Sequence, residues 1–300
     1  MSELLEMFSL PFKHSKPEKD CPFCPVEKPE DFVSYYKGKD NSSDALGKNM
    51  DSPDKLTKSK NFPNIRPKNG KEHRQSKSSK RPKPNPIWSS NDVVAGRVIG
   101  DYSCEPHHLI AGNDAMKGSA MELWISAKKG KITKDTGYSI NNVENGDWFP
   151  SVPENSKVTK ANEAKSDFKN WGSLSEEDKQ TIAFKVMKAN KGQFHKGGHN
   201  IDDGKDYHKT YTKEVPKKLK ILSTLIHGWA NCCFLCDDID PEKGPFAPNW
   251  KVHDMLDRLS GSIDVDLKYL DPKDWDYFIS KLAAEFHEPL CSHDQGVVNL

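Results

Sequence analysis

The stretch Cys104-Glu-Pro-His-His-Leu-Ile-Ala-Gly-Asn113 is the one around which the rest of this sequence is arranged. It holds two adjacent histidines, His107 and His108, between a proline and an apolar pair. Because neighbouring side chains on a β-strand point to opposite faces, one imidazole can bind a metal while the other faces a substrate. Imidazole suits both tasks, since enough of it is unprotonated at neutral pH to act as a ligand or as a base. The stretch therefore predicts a strand that carries a metal ligand and a general base.

The composition predicts that part of the chain does not join a packed core. Of 300 residues, 34% are hydrophobic and 30% are charged, which is little apolar surface for one large core. The net charge of +1 hides a basic stretch, residues 37–83, with fourteen Lys and Arg against five Asp and Glu. Residues 232–300 are acidic, with fourteen Asp and Glu against six Lys and Arg. We expect residues 37–86 to be a disordered basic linker that is either a solvated tether or a phosphate-tracking arm.

Four segments are expected around this distribution. They are an N-terminal segment (1–36), the basic linker (37–86), a core (87–231) and an acidic, cysteine-containing helical region that packs on the core (232–300). Apolar periodicity and capping residues predict a strand at 92–99 and helices at 113–128, 174–189, 205–229, 252–259 and 272–287. Pro216 is expected to end or kink the third of these helices.

The N-terminus does not resemble a signal peptide. Residues 1–8 include acidic side chains and no apolar central region, and no stretch approaches the roughly 18 apolar residues of a membrane-spanning helix. We therefore expect a soluble protein that is cytoplasmic in the producing cell.

Most of the seven cysteines fall in two tight clusters, one at Cys21-Pro-Phe-Cys24 and one at Cys232-Cys-Phe-Leu-Cys236. In a cytoplasmic chain, Cys-x-x-Cys favours a structural zinc half-site over a disulfide, although a redox pair has the same spacing. We predict that two half-sites combine into one tetrahedral zinc site, with the ligands Cys21, Cys24, Cys233 and Cys236. Alternative ligands are Cys232, Cys291 and His293, and buried reduced thiols are the simpler interpretation.

A second histidine group, His195-Lys-Gly-Gly-His199, lies far downstream of the first. Together with His107 it makes a plausible set of three metal ligands with positions left open for water and phosphate. His208 is an alternative to His199. Between the two groups lies Asn145-Gly146, and the amide of Asn145 can hold the ring of His108 and fix its tautomer.

These motifs resemble those of the AHH family, a branch of the HNH/endonuclease VII (ββα-metal) nucleases that is common as toxin domains in bacterial antibacterial systems. The resemblance covers about residues 90–230 and rests on Pro106-His107-His108-Leu109-Ile110, Asn145-Gly146-Asp147-Trp148-Phe149-Pro150, and His195-Lys-Gly-Gly-His199 with Tyr207-His208 and Val215 after it. Pro106 stands where the family name has alanine. About forty additional residues separate Asn145 from His195.

The resemblance implies an α+β fold in which a ββα-metal core is embedded in a mostly helical shell. It implies His108 as the general base, Asn145 as the central asparagine, and His107, His195 and His199 as ligands of one catalytic Mg, Zn, Ni or Mn ion. The expected activity is that of a metal-dependent, non-specific endonuclease, a DNase that acts as an antibacterial toxin or secreted effector. The expected partners are DNA, a cognate immunity protein and a secretion-machinery carrier, such as a type VI carrier, that delivers the protein into the target-cell cytoplasm. The alternative is a non-catalytic, zinc-stabilised nucleic-acid-binding or adaptor module.

Overall fold

The computed structural model describes residues 7–24, 41–51, 93–94, 97–98, 103–129, 136, 138–151, 171–172, 174–196, 199, 201, 208–233, 251–268 and 275–288. These residues form helices with short strands, which agrees with the expected α+β class. The chain divides into two compact units, each assembled from three separate segments. Unit 1 comprises Met1–Ser78, His108–Gly146 and Val215–Ser262, and unit 2 comprises Ser79–His107, Asp147–Glu214 and Ile263–Leu300. The residues of the expected core, 87–231, are shared between both units.

The regular elements of the described residues are α-helices and short strands. The α-helices are α1 (Ser43–Asp51), α2 (Glu122–Ile125), α3 (Glu176–Asn190), α4 (Tyr211–Cys232), α5 (Lys251–Leu267) and α6 (Lys281–His287). The strands are β1 (Val93–Val94), β2 (Arg97–Val98), β3 (Ser103–His108) and β4 (Gly146–Ser151), which pair as two two-stranded sheets, β1 with β2 and β3 with β4. Of the helices described, none combines the length and apolar character needed to cross a membrane.

Helix α1 corrects the prediction that residues 37–86 are a disordered linker. Leu46 and Met50 are fully buried, and they lie four residues apart, so they share one face of the helix. That face packs closely against Gly146, where an added Cβ would lie 2.6 Å from Leu46. The prediction was wrong for 43–51 because it averaged composition over fifty residues and overlooked one pair of apolar residues with helical spacing. Residues 52–86 lie outside the described part of the chain.

Helix α4 supplies much of the core of unit 1. Its predicted apolar stripe is confirmed as buried, with the members Leu219, Leu222, Leu225, Ile226 and Trp229. The helix begins later than predicted, at Tyr211, and continues through Pro216. Pro216 lies in the second turn, where its missing N–H removes a single intrahelical bond close to the helix start, and the stripe that follows is buried well enough to sustain the helix.

The predicted helix over 113–128 is interrupted. A π-helical turn occupies Gly112–Met116, and α2 begins only at Glu122. Gly118 between them has a φ of 77°, a left-handed conformation that glycine adopts easily, and its N–H donates to Glu122 Oε2 at 2.8 Å. The apolar periodicity of the sequence correctly predicted that Met116 and Trp124 are buried. It did not predict that Gly118 ends the first helical turn.

Unit 2 contains α3, α6, β1 and β2. It also contains Ser103–His107 of β3 and Asp147–Ser151 of β4. Helix α3 confirms the prediction over 174–189, with Ile182, Ala183, Val186 and Met187 buried as expected. Its N-cap is Ser175, whose hydroxyl accepts a hydrogen bond from Asp178 N at 3.1 Å.

Two other predictions in unit 2 need correction. The predicted strand over 92–99 is a short antiparallel pair, in which Val93 faces Val98. Within the described part of the helix predicted over 272–287, residues 275–280 are not helical, and a helix begins at Lys281, where Ser280 caps it by accepting from Ala283 N.

Candidate metal centres

Three histidines that the sequence analysis singled out as ligands come together in unit 2. His107, His195 and His199 place their ligand nitrogens within 4.8 Å of one another. His107 Nδ1 lies 3.4 Å from His195 Nε2, and His195 Nε2 lies 3.3 Å from His199 Nε2. Strand β3 carries His107, while His195 and His199 lie in the loop between α3 and α4. We call this set the three-histidine group.

The spacing of these nitrogens fits a bound metal ion. Zinc–nitrogen bonds of about 2.0–2.1 Å at tetrahedral angles would separate neighbouring ligand nitrogens by about 3.3–3.4 Å. The two nitrogen separations of 3.4 and 3.3 Å match that value and are longer than usual N–H···N hydrogen bonds. Three imidazoles leave at least one position of a tetrahedral ion for a water or a substrate oxygen, which is the arrangement of catalytic rather than structural zinc.

Aromatic rings and backbone contacts hold the three-histidine group in place. The ring centroids of Phe149 and Tyr211 each lie 5.3 Å from that of His107, edge to face. The backbone N–H of His195 donates to Pro150 O at 2.7 Å, which attaches the ligand loop to β4. Glu105 Oε2 lies 3.7 Å from His195 Nδ1, the ring nitrogen that faces away from the group. At this distance the two groups do not form a hydrogen bond, and the carboxylate acts on the imidazole only through its negative charge.

The members of the group differ in exposure. His107 is 1% exposed, whereas His195 and His199 are half-buried. Lys191 and Lys196 on the loop of these two histidines are exposed. His208, the alternative ligand, is not a member, since its buried ring packs 5.5 Å from the ring of Phe278. Its place in the sequence could not distinguish it from His199, but the fold does.

The ring of His108 faces a different residue from the one predicted. Its Nε2 lies 2.8 Å from Asn141 Oδ1, so the predicted contact with Asn145 is wrong and Asn141 takes that place. Both His108 and Asn141 belong to unit 1. An amide oxygen only accepts, so Nε2 carries the proton and the lone pair of the neutral ring is on Nδ1. Asn141 was overlooked because the sequence offers Asn141-Asn142 as an ordinary turn.

Asn145 holds the backbone rather than the histidine ring. Its Nδ2 donates to Ile110 O at 2.9 Å and to Ile140 O at 2.8 Å, and its Oδ1 accepts from Ile110 N at 2.8 Å and from the Ser260 hydroxyl at 3.0 Å. The side chain is fully buried. Asn145 therefore ties together the chain after His108 and the chain before Asn141, and it positions the His108–Asn141 pair indirectly.

A second group of ligands forms in unit 1. The ligand atoms of His14, Cys21, Cys24 and Cys233 all lie within 4.8 Å of one another, and all four residues are buried. We call this set the cysteine–histidine group. Its three cysteines are among the ligands predicted from the sequence, whereas His14 was not predicted. A lone histidine seven residues before Cys-x-x-Cys carries no motif that would have identified it.

The other cysteine-site candidates do not join the group within the described residues. Cys236, the fourth predicted ligand, lies outside those residues, as do Cys291 and His293. Cys232 is half-buried next to Cys233 but is not a member. No disulfide joins any of the described cysteines, and Cys104 is buried, as expected for a residue without a metal role.

Two thiols of the cysteine–histidine group, those of Cys21 and Cys24, have raised pKa values. Burial raises the pKa of the Cys21 thiol far above its ordinary value, and the nearby Cys233 and Cys24 raise it further. Burial also raises the pKa of Cys24. A metal cation reverses this preference, because it binds the deprotonated thiolate.

Comparison with protein-family models, curated proteins and solved structures finds no match for this chain. The two ligand groups and the contacts around them are therefore the basis of a functional assignment.

Proposed function

We propose that the protein is a metal-dependent endonuclease that hydrolyses phosphodiester bonds. The observation that carries this proposal is the three-histidine group, with nitrogen separations of 3.3 and 3.4 Å and two half-buried members, His195 and His199. Histidine ligands of this number and geometry suit an ion that does chemistry, since they leave a coordination position open. A divalent ion there supplies a Lewis acid that stabilises negative charge on phosphoryl and leaving oxygens.

The protein's own groups suit an anionic substrate. Lys191 and Lys196 are exposed on the loop that carries His195 and His199. Each offers a positive charge to a phosphate. His108 follows His107 directly in β3, and its Nε2–H bond to Asn141 leaves the lone pair on Nδ1. In our proposal this nitrogen takes the proton from the attacking water, as a general base.

DNA is the proposed substrate and an antibacterial role the proposed context, both by the resemblance to AHH nucleases. A cognate immunity protein and a secretion-machinery carrier, with delivery to the target-cell cytoplasm, belong to the same proposal. The resemblance also suggests a ββα-metal core, for which β3, β4 and the start of α4 are the candidate elements. These residues supply His107, Pro150 beside the ligand loop, and Tyr211 against two ligand rings.

A plasmid-nicking assay tests the proposal. Purified full-length protein is incubated with supercoiled plasmid, and separately with RNA, in Mg²⁺, Mn²⁺, Zn²⁺ or Ni²⁺, with and without EDTA. We expect metal-dependent nicking that EDTA abolishes. The variant His108→Ala should lose about 10²–10⁴-fold in rate, the usual contribution of a general base, while its metal content is unchanged. The exposed His227 provides a matched histidine-to-alanine control that should cleave normally.

The outcomes of this assay separate the enzyme from the alternative. If no metal supports cleavage of either nucleic acid, the enzyme proposal is wrong. Binding of nucleic acid without cleavage would instead favour the zinc-stabilised binding module.

Asn141 should act as a positioning residue for His108. Asn141→Ala removes the acceptor 2.8 Å from His108 Nε2, so the ring loses its orientation and its fixed tautomer. We expect kcat to fall by roughly 10–100-fold, as for other residues that orient a catalytic group, with KM and metal content little changed. Asn141→Asp keeps an oxygen acceptor at the same position and should recover much of the lost rate. Equal losses in both variants would argue for a structural role only.

A further inference from the structure

We propose that His14, Cys21, Cys24 and Cys233 bind a structural zinc ion that fastens residues 7–24 onto the end of α4. The site is separate from the three-histidine group, and it does not depend on the protein being a nuclease. Its fourth ligand is His14 instead of the Cys236 that Cys-x-x-Cys spacing suggests.

The distances fit zinc coordination and exclude a disulfide. Cys24 Sγ lies 3.4 Å from His14 Nε2 and 3.9 Å from Cys233 Sγ. Zinc–sulfur bonds of about 2.3 Å and zinc–nitrogen bonds of about 2.0–2.1 Å put tetrahedral ligand atoms about 3.6–3.8 Å apart. A disulfide would need sulfurs about 2.05 Å apart. The arrangement is therefore that of ligands around a common centre.

The ligand set selects the metal. Three thiolates and one imidazole are soft ligands, which favour zinc over magnesium, calcium or manganese. Cys₃His is a usual set for structural zinc, and four protein ligands close a tetrahedral ion. All four residues are buried, so a bound ion would have no position for a substrate.

Neighbouring groups hold the ligands ready for an ion. His14 Nδ1 lies 2.8 Å from Phe12 O, so Nδ1 donates and Nε2 presents its lone pair towards the cysteines. The backbone N–H of Phe23 points at Cys21 Sγ at 3.4 Å, and that of Glu18 points at Cys24 Sγ at 3.2 Å. Such N–H···S contacts stabilise the negative charge of bound thiolates. These contacts are the second shell expected of a metal site.

The remaining contacts show what the ion would fasten. The N–H of His14 donates to Cys232 O at 3.0 Å, at the C-terminal end of α4. Pro11 packs on Gly228 so closely that an added Cβ there would lie 2.7 Å away. From the start of α5, Lys251 Nζ donates at 3.0 Å to the backbone oxygens of Glu18 and Cys21. The segment thus lies across two helices of unit 1, and zinc would join its His14–Cys24 portion to the end of α4.

Metal analysis of the full-length wild-type protein is the first test, because it needs no variant to fold. We expect one zinc ion per chain that a mercurial reagent releases in step with modification of three thiols. Replacement by Co²⁺ should give the intense thiolate-to-cobalt charge-transfer absorption and the visible bands of a tetrahedral site. Absence of thiol-bound zinc, or octahedral cobalt spectra, would overturn the proposal.

Matched variants identify the ligands. Cys24→Ser should remove the charge-transfer absorption and one equivalent of zinc, whereas Cys232→Ser, at the half-buried neighbour of Cys233, should remove neither. Cys236→Ser is the deciding variant, because loss of the absorption there would replace His14 with Cys236. His14→Ala should shift the cobalt bands, and an unchanged spectrum would exclude His14. His107→Ala should leave the absorption intact, so that failure of the nuclease proposal and failure of this one remain distinguishable.

Hydrogen exchange tests the fastening role. Chelation of zinc should accelerate exchange in peptides from residues 7–24 at least tenfold, since the amides of Glu18 and Phe23 point at ligand sulfurs and that of His14 donates to Cys232 O, next to a ligand. Peptides from α3, in unit 2, serve as the internal reference and should change little. Unchanged exchange in 7–24 would show that the segment is held without metal.

Discussion

Alanine at position 107 should remove both the proposed metal ion of the three-histidine group and the proposed nuclease activity. His107 is the buried member of the group, and its Nδ1 lies 3.4 Å from His195 Nε2. With two ligands left on a solvent-facing loop, affinity for the ion falls sharply. Outer-shell substitutions already reduce metal affinity or activity by about 10–100-fold, so we expect loss of a ligand to exceed about a hundredfold. Metal content by mass spectrometry and the rate of plasmid nicking measure the two effects.

Two further variants show whether that result comes from loss of a metal ligand. His107→Gln fills most of the space between Phe149 and Tyr211, so it separates loss of the ligand from loss of packing. It should remain folded and still lose most of the activity. His208→Gln changes a buried histidine outside the group and should retain the metal. Normal metal content in His107→Ala would exclude His107 as a ligand.

The sequence predicted the helices whose apolar periodicity is strong and unbroken. In α3 and α4 the buried faces are the predicted ones, because burial of an apolar stripe depends on spacing alone. The secondary-structure predictions failed where one or two residues determine the local structure against the average composition of their segment. Gly118 stops a helix by its backbone conformation, and Leu46 with Met50 creates a helix inside a charged segment. The boundary between the two units was also hidden, since contacts between distant segments leave no local pattern.

The ligands were predictable to the extent that chemistry restricts residue type. Few side chains bind transition metals, so adjacent histidines and Cys-x-x-Cys pairs indicated most members of both groups. The choice among similar residues was not predictable. His199 and His208 are equivalent in sequence, and only the fold places His208 against Phe278. His14 and Asn141 were missed because their roles arise from approach of segments that are far apart in the chain.

Asn145→Ala should destabilise the protein more than any surface substitution. The fully buried amide satisfies Ile110 N–H, the carbonyls of Ile110 and Ile140, and the Ser260 hydroxyl. Each buried polar group left without a partner costs about 1–3 kcal/mol. Because Asn145→Ala leaves several of these groups without a partner, we expect the free energy of unfolding to fall by about 3–6 kcal/mol. That is a large part of the roughly 5–15 kcal/mol that stabilises a typical domain. Chemical denaturation with zinc present measures the shift of the midpoint.

Asn142→Ala is the matched control for that measurement. Asn142 Oδ1 accepts from Asn145 N at 2.9 Å as the cap of a short 3₁₀ turn, and loss of such a cap costs about 0.5–2 kcal/mol. A smaller effect for Asn145→Ala than for Asn142→Ala would show that the buried network contributes little. The larger effect that we expect would explain why the sequence motif contains Asn145 although its side chain does not contact His108. The Asn145 amide joins Ile110 to Ile140, and these residues lie close in sequence to His108 and Asn141. It therefore fixes the backbone next to both partners of the hydrogen bond between His108 and Asn141. Local stability and the orientation of the proposed base depend on the same amide.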